Sequence, residues 1–321
     1  GNIKKDMNGR SLKGIEDYLS SSQYDNDEHR NKVVENISKN FDSIANGENG
    51  TLFHGILATS SIPEAYKYWK LFEETKPGLH VTALFDANLD ANSGGEFVKE
   101  EALIKIVKDY AVTFDLKLDW KTDTKCAKFK EDLMARLSHS EPYTNIGNNH
   151  EKCLDLVIVV DQLLTGFDSQ YVNVLYLDKV LENDNLIQAI SRTNRVHDNN
   201  EKPLGLVKFY RKIYTMENNL NEALKLYCQG DYAGVQVDNI DKNIETLNRA
   251  FKNISDIFTM DHIVNFEQLP RTDANRQKFR KEFYRLKSTL RAAMLQGLKW
   301  DNEFGQSLHF DERTYRILTK R

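Results

Sequence analysis

The sequence predicts an α/β protein in which a mostly parallel sheet, with helices on both faces, is followed by a smaller all-helical domain. Two observations support this fold class. Short apolar runs alternate with amphipathic segments over residues 51–210, a rhythm typical of strands joined by crossover helices. Beyond residue 210 the apolar residues follow only the helical period. We therefore predict a helical lead-in over 1–50, an α/β lobe over 51–210 and a helical domain over 211–321.

The lead-in is rich in Asn, Asp and Ser, and one helix is predicted in it, over residues 27–44. The apolar residues of this helix recur every three or four positions, which places them on a single face. The members of that face are Val33, Val34, Ile37, Phe41 and Ile44.

The first half of the lobe has the patterns of two strands and three helices. We predict strands at 52–59 and 79–85 and helices at 63–75, 97–110 and 126–137. Pro63 lies near the start of its helix, where its missing N–H group costs nothing because the first turn leaves those groups unpaired. Residues 138–151 are polar and contain Pro and Gly, which predicts a surface excursion before the next strand.

The second half of the lobe contains the most informative segment, residues 154–195. A buried strand is predicted at 154–160, because the run LDLVIVV is almost wholly apolar. The loop DQLLTGFD follows and leads to a second strand at 172–177. An amphipathic helix then continues through QAISRTNR to residue 195, and a last strand is predicted at 205–209.

Three further helices are predicted after the lobe, at 216–228, 240–258 and 279–295. The last of them lies in a basic stretch, since residues 271–299 carry nine Lys or Arg against two Asp or Glu. A local patch of this kind matters more to a polyanionic partner than the net charge of −4. The patch could touch a DNA backbone, dock another protein or be the solvated face of a core helix.

The composition is that of a globular protein, with 40% hydrophobic and 29% charged residues among 321. The longest apolar runs are far too short to cross a membrane, and no basic-then-apolar leader opens the sequence. Three cysteines without paired spacing favour a reducing compartment. We therefore expect a cytoplasmic protein that does not associate with membranes.

The scattered Cys and His residues do not predict a metal site. Cys126, His139, His150 and Cys153 lie in one region, and His150-x-x-Cys153 is the best half of a zinc motif. The intervals between these residues are irregular for a structural zinc site. We predict no bound metal.

Two features of residues 154–195 suit phosphate chemistry. Arg192 and Arg195 are three residues apart, so a helix would place them on nearly the same face. A guanidinium group is always protonated and its donors form a planar fork, which suits the charge that develops on a transferred phosphoryl group. Gly166 and Asp168 lie in the loop after a buried strand, and open α/β sheets bind ligands at the carboxyl ends of their strands.

The segment resembles motifs V and VI of the superfamily 2 helicases and translocases in the order of its elements and in its QxxSRxxR pattern. LLTGFD followed by QAISRTNR is most similar to the motor (restriction) subunit of type I restriction enzymes, and LATSSI at 57–62 is similar to motif IV of that family. Ser191 stands where helicases at large carry Gly, and this residue type recurs in restriction motors. The chain has no G-x-x-x-x-G-K-[ST] loop. The resemblance therefore implies the second RecA-like lobe of a longer subunit, whose first lobe mainly holds ATP and Mg²⁺.

The resemblance also implies roles for the residues of these motifs. Arg192 and Arg195 would be the catalytic residues, acting at the γ-phosphate. The residues expected to bind the nucleotide are Gly166, Asp168 and Gln188. The residues expected to contact the tracking DNA strand are Thr59, Ser60, Ser61 and Thr165. The implied partners are double-stranded DNA and, through the helical domain, the modification (methyltransferase) and specificity subunits.

We expect all these residues to meet at one edge of the sheet. The turn 59–62, the loop 164–168 and the helix with Arg192 are assigned to the carboxyl ends of the predicted strands. A cleft at that edge would bring Asp168 next to Arg192.

Each site residue also has an ordinary structural explanation. Arg192 and Arg195 could lie on a solvated helix face, with Arg195 paired to Asp198. Asp168 could cap a turn, and Gln188 could be a plain polar residue. Ser and Thr are also common turn residues.

The implied function is ATP-dependent DNA translocation and cleavage by the full subunit, with no activity of this chain alone. Two alternatives stay open. Another superfamily 2 motor, such as a DNA-repair helicase, would share the motifs but not the LLTGFD and SRTNR wording. A non-catalytic lobe kept as a docking scaffold would not need intact residues in motifs V and VI.

Overall fold

The computed structural model describes residues 15–45, 47, 50–75, 78–86, 99–116, 124–146, 149–195, 197, 202, 205–227 and 240–321. The chain divides into two compact units, Gly1–Asp231 and Tyr232–Arg321. Among the described residues, no helix combines the length and the apolar character that crossing a membrane requires.

The first unit is built on a five-stranded sheet in which every strand pairing is parallel. The strands are β1 His54–Thr59, β2 Val81–Leu84, β3 Leu156–Val159, β4 Val172–Asp178 and β5 Leu206–Phe209. Their order across the sheet is β2-β3-β1-β4-β5. All residues of β1 to β4 are buried, which means that both faces of the sheet are covered. The predicted α/β class with a parallel sheet is confirmed.

Helices connect most of the strands along this unit; in the part that the structure describes, two lie between β2 and β3 and none lies between β3 and β4. They are α1 Asp27–Ala45, α2 Ile62–Thr75, α3 Lys99–Thr113, α4 Thr124–Ser138, α5 Asn183–Ile190 and α6 Ile213–Tyr227. The lead-in helix α1 packs closely on the sheet, because a Cβ atom at Gly55 would lie 3.0 Å from the side chain of Phe41. A larger residue at Gly55 would therefore push α1 away from β1. The apolar face predicted for the lead-in is buried.

Helix α6 belongs to the first unit, although the sequence pattern assigns it to the helical domain. It packs beside α5, the side chain of Asn219 donates to the carbonyl of Leu181 at 3.0 Å, and Met216 is fully buried. The two units divide at 231/232, whereas the change of pattern predicts 210/211. The last described strand of the first unit is β5, but α6 follows it and still packs in the core of that unit.

The second unit is helical, with no strand among residues 240–321. Its helices are α7 Ile240–Met260, α8 Asp273–Leu295, α9 Glu303–Gln306 and α10 Glu312–Thr319. Helices α7 and α8 are antiparallel, because Asn243 pairs with Gln296 while Asn253 pairs with Glu282. The apolar stripes of both helices form one core. Helices α9 and α10, of four and eight residues, are not among the predicted elements.

Candidate functional site

The connection from β3 to β4 carries Asp168 to the amino edge of the sheet. Because the two strands are parallel, the chain must return from the carboxyl end of β3 to the amino end of β4. Residues 160–171 make this return, and the carbonyl of Tyr171 accepts a hydrogen bond from the backbone N–H of His54, at the start of β1. Asp168 is three residues before Tyr171 and therefore lies near the amino ends of the strands.

Helix α5 brings the two arginines to the same edge, but not on a helix. The predicted helix through residue 195 is wrong, since α5 ends at Ile190. The hydroxyl groups of Ser191 and Thr193 donate to the carbonyls of Gln188 and Ile190, at 2.6 and 3.1 Å. Such hydroxyl bonds compete with the regular helix ladder and favour its end. The arginines consequently occupy the turn and loop that follow α5.

Arg195 faces Asp168 in a two-pronged ion pair. Its Nε atom donates to Oδ1 at 2.9 Å and its Nη2 atom lies 2.7 Å from Oδ2. Both side chains are more than half exposed, at 62% and 57%. An exposed pair of this kind is screened by water and contributes little to stability. An anionic ligand could therefore displace the carboxylate at a small cost.

Arg192 lies beside this pair and is held by the backbone. Its Nη1 atom donates to the carbonyl of Phe167, directly before Asp168, and its Nε atom donates to the carbonyl of Gln188 at 3.0 Å. Its Nη2 atom donates to the hydroxyl of Ser191 at 2.8 Å. These are neutral partners, so the guanidinium charge is oriented without being cancelled.

The arginines and the loop before β4 enclose a cleft of about 540 Å³. Its lining residues are Gly166, Asp168, Ser191, Arg192, Asn194 and Arg195. Two guanidinium groups and a single carboxylate give the lining a net positive charge, which favours an anion. Gly166 has φ of +74°, and only glycine adopts this backbone conformation without strain. Gln188 is exposed and does not line the cleft; its described contact to the cleft is the carbonyl that holds Arg192.

The predicted DNA contacts Thr59, Ser60 and Ser61 lie at the other edge of the sheet. Thr59 is the last residue of β1 and pairs in register with Asp178, the last residue of β4. Five residues of β1 precede it, so it lies about 17 Å from the amino end of the strand at the usual rise. The expectation that all site residues share one edge is therefore wrong. The physical reason is that both the β3–β4 connection and α5 return to the amino edge.

The side chains at the carboxyl edge differ in what they can reach. Thr59 is fully buried, and its hydroxyl donates to the carbonyls of Val159 and Ser61, so it shapes the turn and cannot touch a ligand directly. Ser60 is exposed, and Ser61 accepts a long hydrogen bond from the N–H of Glu64 in the first turn of α2. Thr165 is exposed within the connection between the two edges.

Beside the arginine cleft lies a stack of aromatic rings that the sequence did not predict. Nδ1 of His54 donates to the carbonyl of Leu154, so Nε2 of neutral His54 must accept from Nε2 of His139, at 3.0 Å. The ring of His139 stacks on Tyr171 at 3.6 Å, and Tyr171 in turn contacts His197. Burial lowers the pKa of His54 to about 4 and that of His139 to about 3.

This histidine pair predicts a loss of stability in mild acid. Both pKa values in the folded chain lie below the ordinary 6.5, so the unfolded chain binds more protons between pH 6.5 and about 4. The free energy of unfolding should therefore fall as the pH drops through this window, by up to roughly 1.4 kcal/mol per pH unit for each histidine. Urea titrations at several pH values would measure the slope.

The matched variant is His139→Phe, which keeps a ring against Tyr171 and removes one titrating group. It should make the slope shallower than in the parent chain. The comparison cancels the opposite contribution of Asp155, whose pKa burial raises to about 6. Equal slopes in the two chains would contradict the assignment of the pH dependence to this pair.

No metal centre accompanies the cleft within the described ranges. There, no group of three or more His, Cys, Asp or Glu side chains is arranged to hold a metal ion. Of the four residues considered from the sequence, Cys153 and His139 both approach His54, and Cys153 is a buried free thiol. Cys126 has no described side-chain position.

Residues 51–212 match the family model of the type I restriction enzyme subunit R domain 3 (T1R_D3-like). The match covers half of the chain and includes all five strands, the cleft and the turn after β1. The chain belongs to this family.

Two curated relatives are endonuclease subunits of type I restriction enzymes. The SsaAORF53P subunit of Staphylococcus saprophyticus is 32% identical over 205 residues, which cover 61% of this chain and 20% of that protein. The SauCOLORF180P subunit of Staphylococcus aureus is 31% identical over 184 residues, which cover 55% of this chain and 18% of that protein. The chain thus spans about a fifth of the length of the curated relatives it matches.

One solved structure is similar over a large part of the chain. It is the ATP-dependent Type ISP restriction-modification enzyme LlaBIII bound to DNA, matched over 85% of this chain and 15% of that one. The identity is 13% and the TM-score is 0.36, so the likeness adds nothing to the assignment of function.

Sequence reasoning missed one buried charge next to the cleft, that of Lys202. The lysine is fully buried, yet it follows the polar run DNNE at 198–201. A polar neighbourhood of this kind predicts an exposed loop, and no periodic pattern could have indicated otherwise. Only the surrounding fold reveals that the side chain points inward.

Proposed function

We propose that this chain is the second RecA-like motor lobe of the ATP-dependent DNA translocase and endonuclease subunit of a type I restriction-modification system. One observation carries the proposal. Gly166 and Asp168 from the loop before β4, and Arg192 and Arg195 from the segment after α5, line a single cleft with a net positive charge. The family match supports the restriction system over other superfamily 2 motors.

In this proposal the lobe closes on ATP held by the first lobe of the same subunit. The side chains of Arg192 and Arg195 fit a triphosphate, because their forks can donate to several phosphate oxygens at once. Asp168 is the one carboxylate in the cleft lining and it is already engaged by Arg195. We therefore assign the Mg²⁺ ion to the first lobe.

The Arg195–Asp168 pair explains how the lobe could close on ATP and open again. In the free lobe each side chain satisfies the other at an exposed site. When the triphosphate arrives, Arg195 can exchange the carboxylate for phosphate oxygens, and Asp168 is then free to accept from a ribose hydroxyl. The exchange replaces one charge-assisted contact by another, so little free energy is lost when the lobe opens again.

DNA contacts are assigned to the opposite edge of the sheet. Ser60 and Ser61, at the carboxyl end of β1, could donate to phosphate oxygens of the tracking strand, and Thr165 could join them from the connection. The ATP side and the DNA side then lie at opposite ends of the same strands. A rigid sheet would carry a movement at one end to the other.

The second unit is assigned to contacts with the rest of the enzyme, namely the modification and specificity subunits. Helix α8 presents exposed basic residues along its first half, among them Arg276, Lys278, Arg280 and Lys281. The same helix could meet the DNA backbone, and basic residues of this kind suit either partner. A subunit of this type would work in the cytoplasm, where its DNA substrate is found.

A first experiment tests whether the chain is a single motor lobe. The isolated chain should show no ATP turnover with or without duplex DNA, because it contains no phosphate-cradling loop and lysine. Its DNA binding should be weak and should fall steeply as salt rises, since it would rest on backbone contacts. Sustained, DNA-stimulated ATP hydrolysis by the purified chain would refute the single-lobe assignment.

A further inference from the structure

Lys202 lies beneath the loop that carries the arginines. Its backbone pairs with His197 in an antiparallel bridge, so the chain folds back on itself directly after Arg195. The residue has no exposed surface. Its Nζ atom donates to the carbonyl of Arg195 at 2.6 Å and to the carbonyl of Gln170 at 3.0 Å.

These two carbonyls belong to the two walls of the cleft. Arg195 is a lining residue of one wall, and Gln170 follows Asp168 by two positions in the other. One ammonium group thus joins the loop after α5 to the loop before β4. We infer that Lys202 is a positioning residue that fastens these loops together and so sets the geometry of the Arg195–Asp168 pair. The inference rests on the proposed function, because the pair matters to a reaction only if the cleft binds a triphosphate.

Gly205 supports the arginine loop from another side. A Cβ atom at this position would lie 2.1 Å from the carbonyl oxygen of Thr193, which is backbone and cannot move aside by rotation. The start of β5 therefore passes in direct contact with the turn between Arg192 and Arg195. The loop is held at Thr193 by this close approach and at Arg195 by Lys202.

The energetics of Lys202 favour positioning over simple packing. Burial lowers its pKa to about 7, a sign that the protein does not fully replace the hydration of the ammonium group. A methionine would fill nearly the same space without this cost, but it would leave the carbonyls of Arg195 and Gln170 without their donor. What the lysine adds is the pair of hydrogen bonds that joins the two loops.

The test is Lys202→Met in the full-length subunit. If the lysine positions Arg195, the kcat of DNA-stimulated ATP hydrolysis should fall on the order of 100-fold, because a small misplacement of a catalytic group has an effect of that size. The KM for ATP should change much less, since a misplaced Arg195 would act on the developing charge and not on initial capture. The chain should stay folded, and its urea midpoint should fall no further than the loss of these two hydrogen bonds explains.

Lys208→Met is the matched control. Lys208, in β5, is partly buried, and its Nζ atom donates to the side-chain oxygen of Asn36 at 2.7 Å, away from the cleft. This variant loses a lysine hydrogen bond of the lobe without touching either cleft loop. It should keep the kcat of the parent subunit.

A double-mutant cycle with Arg195→Ala separates positioning from a general structural role. If Lys202 acts through Arg195, adding Lys202→Met to Arg195→Ala should lower kcat no further. Losses that multiply would overturn the inference, and so would an unchanged kcat in Lys202→Met alone. An Arg195→Ala subunit with full activity would instead count against the proposed function. Should Lys202→Met fail to fold, Lys202→Gln, which keeps a shorter donor, enters the same cycle with the same criteria.

Discussion

Replacing Arg192 by alanine in the full-length subunit should lower DNA-stimulated ATP hydrolysis by at least about 1000-fold, the size of effect typical of an arginine finger. The guanidinium group is oriented by the carbonyls of Phe167 and Gln188 and by the hydroxyl of Ser191, and no described carboxylate cancels its charge. It is thus prepared for charge that accumulates on the transferring phosphoryl group. Translocation and DNA cleavage should be lost with hydrolysis, and assembly with the other subunits should persist.

Two further variants make this prediction sharper. Arg192→Lys should restore little activity, because a point charge does not reproduce the planar fork. Arg195→Ala should be as severe if both arginines reach the phosphates, and milder if Arg195 serves mainly to hold Asp168. The chain should stay folded in all three, because Arg192 and Arg195 lie outside the buried core. Near-normal ATPase in Arg192→Ala would move the finger role to Arg195.

The chemistry of this cleft could be predicted from the sequence, but its location could not. The fold could be predicted from local patterns, because each strand has its own apolar run and each helix its own helical period. Asp168 and Arg195, 27 residues apart, were both selected from motif wording, and the structure pairs them. Their position at the amino edge depends on how the chain returns between parallel strands, which no local pattern encodes.

Side-chain hydroxyl groups and a buried charge account for two further differences between the predicted and the observed structure. The predicted helix extends through Arg195, whereas the hydroxyl groups of Ser191 and Thr193 bond to the carbonyls of Gln188 and Ile190 and α5 ends at Ile190. Lys202 has polar neighbours in sequence and became apparent only when the fold enclosed it. Both cases depend on a hydrogen-bond partner that the residue type alone does not reveal.

A buried polar cluster centred on Asp178 lies at the carboxyl edge of the sheet. We predict that removing this carboxylate has the largest effect on stability of the substitutions considered. Asp178 has no exposed surface and accepts from Nε2 of His29 and from the hydroxyl of Tyr68, each at 2.8 Å. Nε of Arg211 lies 3.4 Å away. The cluster thereby ties the lead-in helix α1, helix α2 and the segment after β5 to the end of β4, next to the turn that carries Ser60.

Asp178→Ala should lower the free energy of unfolding of the chain by roughly 3 to 5 kcal/mol, the usual effect of breaking a buried ion pair by removing one partner. The hydroxyl of Tyr68 would stay buried without its acceptor, whereas Arg211 would keep its ion pair with Asp25 at 2.7 Å and lose the second carboxylate. Asp178→Asn keeps an acceptor but no charge. Its free energy of unfolding should therefore lie between those of Asp178→Ala and the parent chain. Urea unfolding followed by circular dichroism would measure all three.

The control is Glu35→Gln, which breaks the exposed pair with Lys39 on α1 and should leave the midpoint unchanged. A loss below about 1 kcal/mol in Asp178→Ala would mean that water or a neighbouring group replaces the carboxylate, and that this edge does not depend on the cluster for its stability.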